Sequence, residues 1–199
     1  MSIFVLFISL NRPTTRKGLR RQVLKNWVKI NLKEPNANAI QVIRNQILVN
    51  TAFISALIVL TGLMIGLFPL FFENNEEFLW NIIPGFSLGL AQLITLLVTI
   101  IISLFGFINS SRMTANLSYL MTSKPQDVEV EGVSGLALTR DAFRKAQRSW
   151  IFGVRGLFYI IAAFTWFVNP IFFIVCTVVI TVYLILFHDL TIFEKKLKD

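Results

Sequence analysis

Four long apolar stretches alternate with polar segments along the chain: Ile47–Phe72, Ile82–Ile108, Ile151–Val168 and Pro170–Phe187. A helix needs roughly 20 apolar residues to cross a hydrocarbon core, so each stretch is of spanning length or close to it. The first predicted helix starts near Ala37, after Glu34-Pro35-Asn36, and runs to about Phe68. It is longer than a span, so its first turns, with Gln41, Arg44 and Asn45, should protrude. The second span, entered at Asn81–Pro84, is predicted to continue as a helix over Ser110–Thr122. From Ile151 to Phe187 the chain is almost wholly apolar. As one helix it would reach about 55 Å, against a hydrocarbon core of about 30 Å. Asn169-Pro170 divides it, because proline favours a helix start and disfavours helix in the residue before it. A tight helical hairpin is expected there.

The polar segments carry weaker patterns. Ser2–Leu10 is apolar but too short to cross, and its basic residues follow the apolar run, unlike a signal peptide. It reads as an interfacial anchor, a helix packed beside the spans, or a shortened span. In Thr14–Lys33, Leu19, Val23, Trp27 and Ile30 recur at helical spacing among Arg16, Lys17, Arg20, Arg21, Lys25 and Lys29. That is the pattern of a basic amphipathic helix lying in the headgroup region, with Trp27 near the boundary. Lys124–Gly135 reads as an acidic loop with Asp127, Glu129 and Glu131. Thr139–Trp150 reads as a short basic helix with Asp141 in its first turn, where the helix dipole favours an anion.

Charge placement gives the orientation. Put the N-terminal flank in the cytoplasm and all 19 Lys and Arg residues fall on the cytoplasmic side or in the first turns of the third span. The opposite loop, Glu73–Asn81, holds Glu73, Glu76 and Glu77 and no basic residue. An excess of Lys and Arg marks the cytoplasmic side. The expected fold is therefore an all-α integral membrane protein with four transmembrane helices, an amphipathic basic N-terminal helix and a short cytoplasmic helical loop region. Residues 1–36 form the N-terminal apolar stub and basic interfacial helix, and residues 37–199 the four-span membrane domain. The expected location is the plasma (cell inner) membrane, multi-pass, with both termini cytoplasmic.

Composition agrees: 55% of residues are hydrophobic and the mean hydropathy is +0.67, too apolar for a soluble domain of this size. The net charge of +8 then points to anionic lipid headgroups as partners, and not to nucleic acid. Cys176 stands alone inside the fourth span and His188 is the single histidine. One chain thus offers no zinc, haem or iron–sulfur ligand set, and no cofactor is expected.

Candidate chemistry collects at one predicted depth. Gln41, Arg44 and Asn45 lie at the inner mouth of the first span, Asn109, Arg112 and Asn116 at the inner end of the second, Arg155 one turn into the third, and His188 and Asp189 at the end of the fourth. This cytoplasmic polar layer could bind an anion or a lipid headgroup. A charge within a span should face the bundle and find a partner. Arg155 therefore pairs with Asp189, snorkels to lipid phosphate, or joins Arg44 and Arg112 in an anion site. Along the second span, Gln92, Thr95, Thr99 and Ser103 share one face. It serves either interhelical hydrogen bonding or a hydrated path. Gly62 and Gly66 form a small-xxx-small pair for helix packing. No nucleophile–base set, carboxylate pair or phosphate-cradling glycine loop is present.

The run Gln41-Val42-Ile43-Arg44-Asn45-Gln46-Ile47-Leu48, the segment Ser111-Arg112 with Asn116 and Leu120, and Gly153-Val154-Arg155 followed by Trp166, Pro170 and Asp189 together resemble the DUF599 family of small membrane proteins. The resemblance covers roughly Arg16 to Asp189. Family members often begin with a full apolar span, where this chain has Ser2–Leu10. The resemblance implies the architecture and the polar constellation, and the family's function is unknown. The function expected is that of a non-enzymatic oligomeric membrane protein, either an anion-preferring channel or an accessory subunit of a larger membrane complex. A membrane enzyme ranks third. The expected partners are the lipid bilayer and either further copies of the chain or other membrane subunits.

Overall fold

The computed structural model describes residues 26–31, 37–67, 69, 88–123, 129–130 and 133–185. Residues 26–31 are helical. They are followed by α1 (Ala37–Gly66), α2 (Leu88–Thr122), the strands β1 (Glu129–Val130) and β2 (Val133–Ser134), α3 (Gly135–Thr165) and α4 (Pro170–Tyr183). The strands pair antiparallel, Glu129 opposite Ser134 and Val130 opposite Val133, so the segment expected to be an acidic loop holds a small hairpin ladder. The other elements among the described residues are helical.

Two helices, α1 and α2, are long and apolar enough to cross a membrane, with mean hydropathy 2.2 and 2.4. Neither contains proline, and at about 1.5 Å per residue their 30 and 35 residues exceed a hydrocarbon core. The other two expected spans differ from this. In α3 a charged first half with Arg140, Asp141, Arg144, Lys145 and Arg148 runs without a break into an apolar second half, where two separate pieces were expected. Asp141 consequently lies beyond the first turn, which has no acidic residue. The described part of α4 is apolar but only 14 residues long.

The hairpin between α3 and α4 forms where proline dictates. Asn169 caps α4 with extended backbone, its side-chain oxygen accepting from the Ile171 N–H at 2.7 Å, and Pro170 takes the first helical position. There its missing N–H costs nothing, because that group has no intrahelical partner. Trp166 stacks on Phe173 at 4.7 Å between ring centroids and braces the turn.

The centre of the molecule is α2. Its Leu93, Leu96, Ile100, Ser103, Phe107, Ser110, Thr114, Leu117 and Met121 are all buried, spaced alternately three and four residues apart. In α1 the buried Ile43, Asn50, Leu57 and Met64 keep the same seven-residue repeat, as do Thr139, Ala146, Gly153 and Ile160 of α3. A sustained seven-residue stripe is the signature of helices packed side by side with a small left-handed crossing. One end of the bundle is an apolar core of Leu57, Met64, Leu93, Leu96, Ile100, Phe107, Ile160 and Ala163. The other is a second cluster of Val28, Ala39, Ile43, Leu117 and Met121. Here Trp27 stacks on Phe143 of α3 at 5.3 Å, so this ring packs on a helix of the chain itself.

Three glycines let α2 and α3 touch. A Cβ built on Gly106 would meet the Gly153 backbone nitrogen at 2.7 Å and its Cα at 2.8 Å, and one on Gly156 would meet Ser103 Cβ at 2.6 Å. By contrast Gly62 and Gly66 have nothing within 4 Å. Among the described residues the packing role expected for that pair is not used, because α1 turns it away from α2 and α3. Gly106→Ala should destabilise the protein by about 1–3 kcal/mol, since it must push two backbones apart. Gly62→Ala should leave stability unchanged or raise it by up to about 1 kcal/mol, through helix propensity alone. Thermal or denaturant melting of the two variants in detergent checks the contrast.

Candidate functional site

The close contact of α2 with α3 leaves a wedge on the side where α4 folds back. It opens as a pocket of about 470 Å³. Helix α2 contributes Thr95, Thr99 and Ile102, α3 contributes Phe152, Arg155, Gly156 and Tyr159, α4 contributes Phe173, Thr177 and Thr181, and Leu184 and Ile185 follow just after it. Most of this lining is apolar, and the polar groups are hydroxyls around one guanidinium. Tyr159 and Thr181 share a hydrogen bond of 3.2 Å between their hydroxyls. Thr99 and Thr181 donate to the carbonyls of Thr95 and Thr177, each at 2.7 Å. The Thr177 Oγ1 is buried and has no hydrogen-bond partner among the described residues. Arg155 is half-buried and carries a permanent charge with five donors in a planar fork. Chemically the cavity sets one cationic side chain among hydroxyls in an apolar body.

The expected polar face of α2 divides. Gln92 donates to the Trp166 carbonyl at 3.0 Å and Ser103 to the Gly153 carbonyl at 2.8 Å. These two bind α2 to α3, as interhelical hydrogen bonding requires. Thr95 and Thr99 instead line the pocket. Gln92 and Ser103 thus look into the bundle of the chain itself, and Thr95 and Thr99 into the pocket.

The expected polar layer is not a single layer. Gln41, Arg44, Asn45, Asn109, Arg112 and Asn116 are exposed and none lines the pocket. Gln41 donates to Asn45 at 3.2 Å, and Asn109 to Ser149 of α3 at 2.7 Å. Arg155 lies six residues beyond Ser149 on α3, about 9 Å further along at 1.5 Å per residue. Helix rotation explains the split. Arg44 follows the buried Ile43, a step of about 100° off the packing stripe at 3.6 residues per turn, and Arg112 is likewise off the stripe of Ser110 and Thr114. A shared site for Arg44, Arg112 and Arg155 is therefore not built within one chain. His188 and Asp189 lie outside the described residues, and so does the expected Arg155–Asp189 pair. Among the described residues there is no group of three or more His, Cys, Asp or Glu able to hold a metal ion.

The buried polar contact that sequence reasoning missed joins α1 to α2. Asn50 Nδ2 donates to Ser110 Oγ at 3.0 Å, both buried. Its signal was available: Asn50 sits in the seven-residue register of Ile43 and Leu57. At the charged end, Asp141 bonds Lys145 at 2.7 Å and Arg144 at 3.0 Å. The hydrogen bond from Lys145 holds its carboxyl below the ordinary range, against a smaller upward push from burial. Any stability from this group is present at neutral pH and lost as pH falls through that lowered value, and exposure keeps it small. Asn50→Ala should cost about 1–3 kcal/mol, because it strands a buried hydroxyl. Asn45→Ala, at an exposed position, should stay within about 0.5 kcal/mol. Melting of both variants decides whether Asn50 is the anchor.

A family model described as "Protein of unknown function, DUF599" matches residues 1–192. No curated protein and no solved structure matches the chain. The match takes in α1 to α4, including the Arg155 pocket and the α3–α4 turn. The chain belongs to the DUF599 family.

Proposed function

We propose that the chain is a non-enzymatic integral membrane protein that crosses the plasma (cell inner) membrane four times, with both termini cytoplasmic, and works as a homo-oligomer or as a subunit beside other membrane chains. The observation that carries this reading is the apolar surface left uncovered by the fold. No residue of α4 from Pro170 to Tyr183 is buried, and Ile58, Val59, Leu63 and Ile65 of α1 are exposed as well. Exposed apolar area of this extent calls for lipid or another chain. The helix lengths of α1 and α2 support crossing. The charged ends of α1, α2 and α3 meet around Trp27 and Phe143, and they carry the basic residues that mark a cytoplasmic side. Exposed Arg44 and Arg112 lie well placed for anionic headgroups.

A second reading, anion-preferring conduction, is favoured by Arg155. A charge-lined constriction selects ions of the opposite sign. Since Thr95 and Thr99 face α3 and α4, the path would run through the pocket of each protomer. One preparation tests both readings. The solubilised particle, alone and from native membranes, should be larger than a single 22.7 kDa chain once detergent is subtracted. A lone chain from native membranes would contradict assembly. In liposomes, chloride should pass in preference to potassium, and Arg155→Gln should remove that preference. Cation-selective current would end the conduction reading. No current from folded protein that co-purifies with unlike chains would leave the accessory-subunit role.

A further inference from the structure

The pocket at Arg155 has a geometry that a small aqueous anion does not need. Its volume of about 470 Å³ lies in the range of cavities that hold organic ligands, roughly 300–1,000 Å³. Its walls are mostly apolar, and its polar groups are few and specific. The residues at its rim are also apolar and outward-facing: Ile102 is 45% exposed, Phe152 54% and Ile185 41%. All three line the pocket and come from α2, α3 and the residues just after α4. The rim therefore opens sideways, between helices. On the membrane reading proposed above, on which this inference rests, it opens into the acyl-chain region and not into water. A free anion would have to shed its hydration across that rim, which is costly. A molecule already dissolved in the bilayer meets no such barrier.

We infer that the Arg155 pocket is a lateral binding site for an anionic lipid, its phosphate held by the Arg155 guanidinium and its acyl chain lying along the apolar wall of α2 and α4. Three features match the parts of such a ligand. The planar guanidinium fork can donate to two oxygens of a tetrahedral phosphate at once. The Thr177 hydroxyl is buried in the same pocket without a partner among the described residues. It supplies a donor that a phosphate oxygen would satisfy. Phe173 and Leu184 offer the apolar contact that an acyl chain requires. A lipid seated here would occupy the route that conduction through the protomer would use.

The test uses the full-length protein in detergent, with native mass spectrometry reading retained phosphatidylglycerol against phosphatidylcholine. The wild type should retain the anionic lipid about tenfold over the zwitterionic one, the scale of one charge-assisted contact. Arg155→Gln should bring the ratio close to parity. Lys145→Gln, at an exposed lysine outside the pocket that pairs with Asp141, should leave it unchanged. Thr177→Val keeps the shape and removes the donor. It should lower the ratio severalfold without lowering the melting temperature of the delipidated protein, so the inference remains testable even if the Arg155 variant fails to fold. Parity in the wild type, or equal loss in the Lys145 variant, would overturn the site. If inorganic phosphate raises the melting temperature through Arg155 and phosphatidylglycerol does not, the site takes a free anion and the lipid assignment is wrong. A monomeric particle would contradict the assembly reading without changing any of these lipid outcomes.

Discussion

The backbone contact between α2 and α3 at Gly106, Gly153 and Gly156 sets the geometry of everything around it. With no Cβ on any of the three, the two helices approach until Gly106 meets the Gly153 backbone and Gly156 meets Ser103. The Ser103 hydroxyl then reaches the Gly153 carbonyl, and Phe107 fills the space beside Gly153. This fixes both the distance and the register of the pair. Helix α1 joins the same seam from the other side through Asn50 and Ser110. Helix α4 meets α3 at its start, through the Trp166–Phe173 stack below the Asn169 cap, and near its end, through the Tyr159–Thr181 hydrogen bond and the Phe158–Tyr183 ring pair. The wedge left between α4 and the tight α2–α3 pair is the pocket.

Such a seam suits a lipid environment. Hydrocarbon gives no hydrophobic push between helices, so association rests on close packing of small residues and on a few interhelical hydrogen bonds. The α2–α3 interface uses both. The charged end of the bundle obeys a different rule. There Val28, Leu117 and Met121 are buried among exposed Arg44, Arg112 and Arg148, and ordinary burial of apolar area from water is available. Long helices that carry one seven-residue stripe through both regions bind the two ends into a single bundle.

Much of the fold was legible because it rests on local chemistry. The start of α1 near Ala37, the continuation of α2 to Thr122 and the break at Asn169-Pro170 follow from proline, polarity and length. The helix partners were not legible for a reason specific to this composition. In a uniformly apolar stretch the contrast between faces vanishes, so a packing stripe made of leucine, serine, threonine and glycine has no hydrophobic signature. A glycine pair at four-residue spacing was visible at Gly62 and Gly66, yet the single glycines at 106, 153 and 156 make the contact. Neither the rotation of each helix nor its offset along its neighbours could be counted from the sequence. Arg44, Arg112 and Arg155 therefore read as one layer, although only Arg155 turns into the pocket. Thr95 and Thr99 were found as members of a polar face. Tyr159, Thr177 and Thr181 were missed because they look like ordinary span residues until α3 and α4 are brought together.

The pocket opening toward lipid is most directly tested by nitroxide labels at its rim. Ile102→Cys, Phe152→Cys and Ile185→Cys, each in a Cys176→Ser background, would be labelled and reconstituted in bilayers. Relaxation by oxygen, which concentrates in hydrocarbon, is compared with relaxation by a water-soluble nickel chelate, and a label at Lys145→Cys serves as the aqueous reference. Oxygen should dominate at all three rim positions and nickel at position 145. Nickel dominating at the rim would mean that the pocket opens to water, and the lateral membrane site would be wrong.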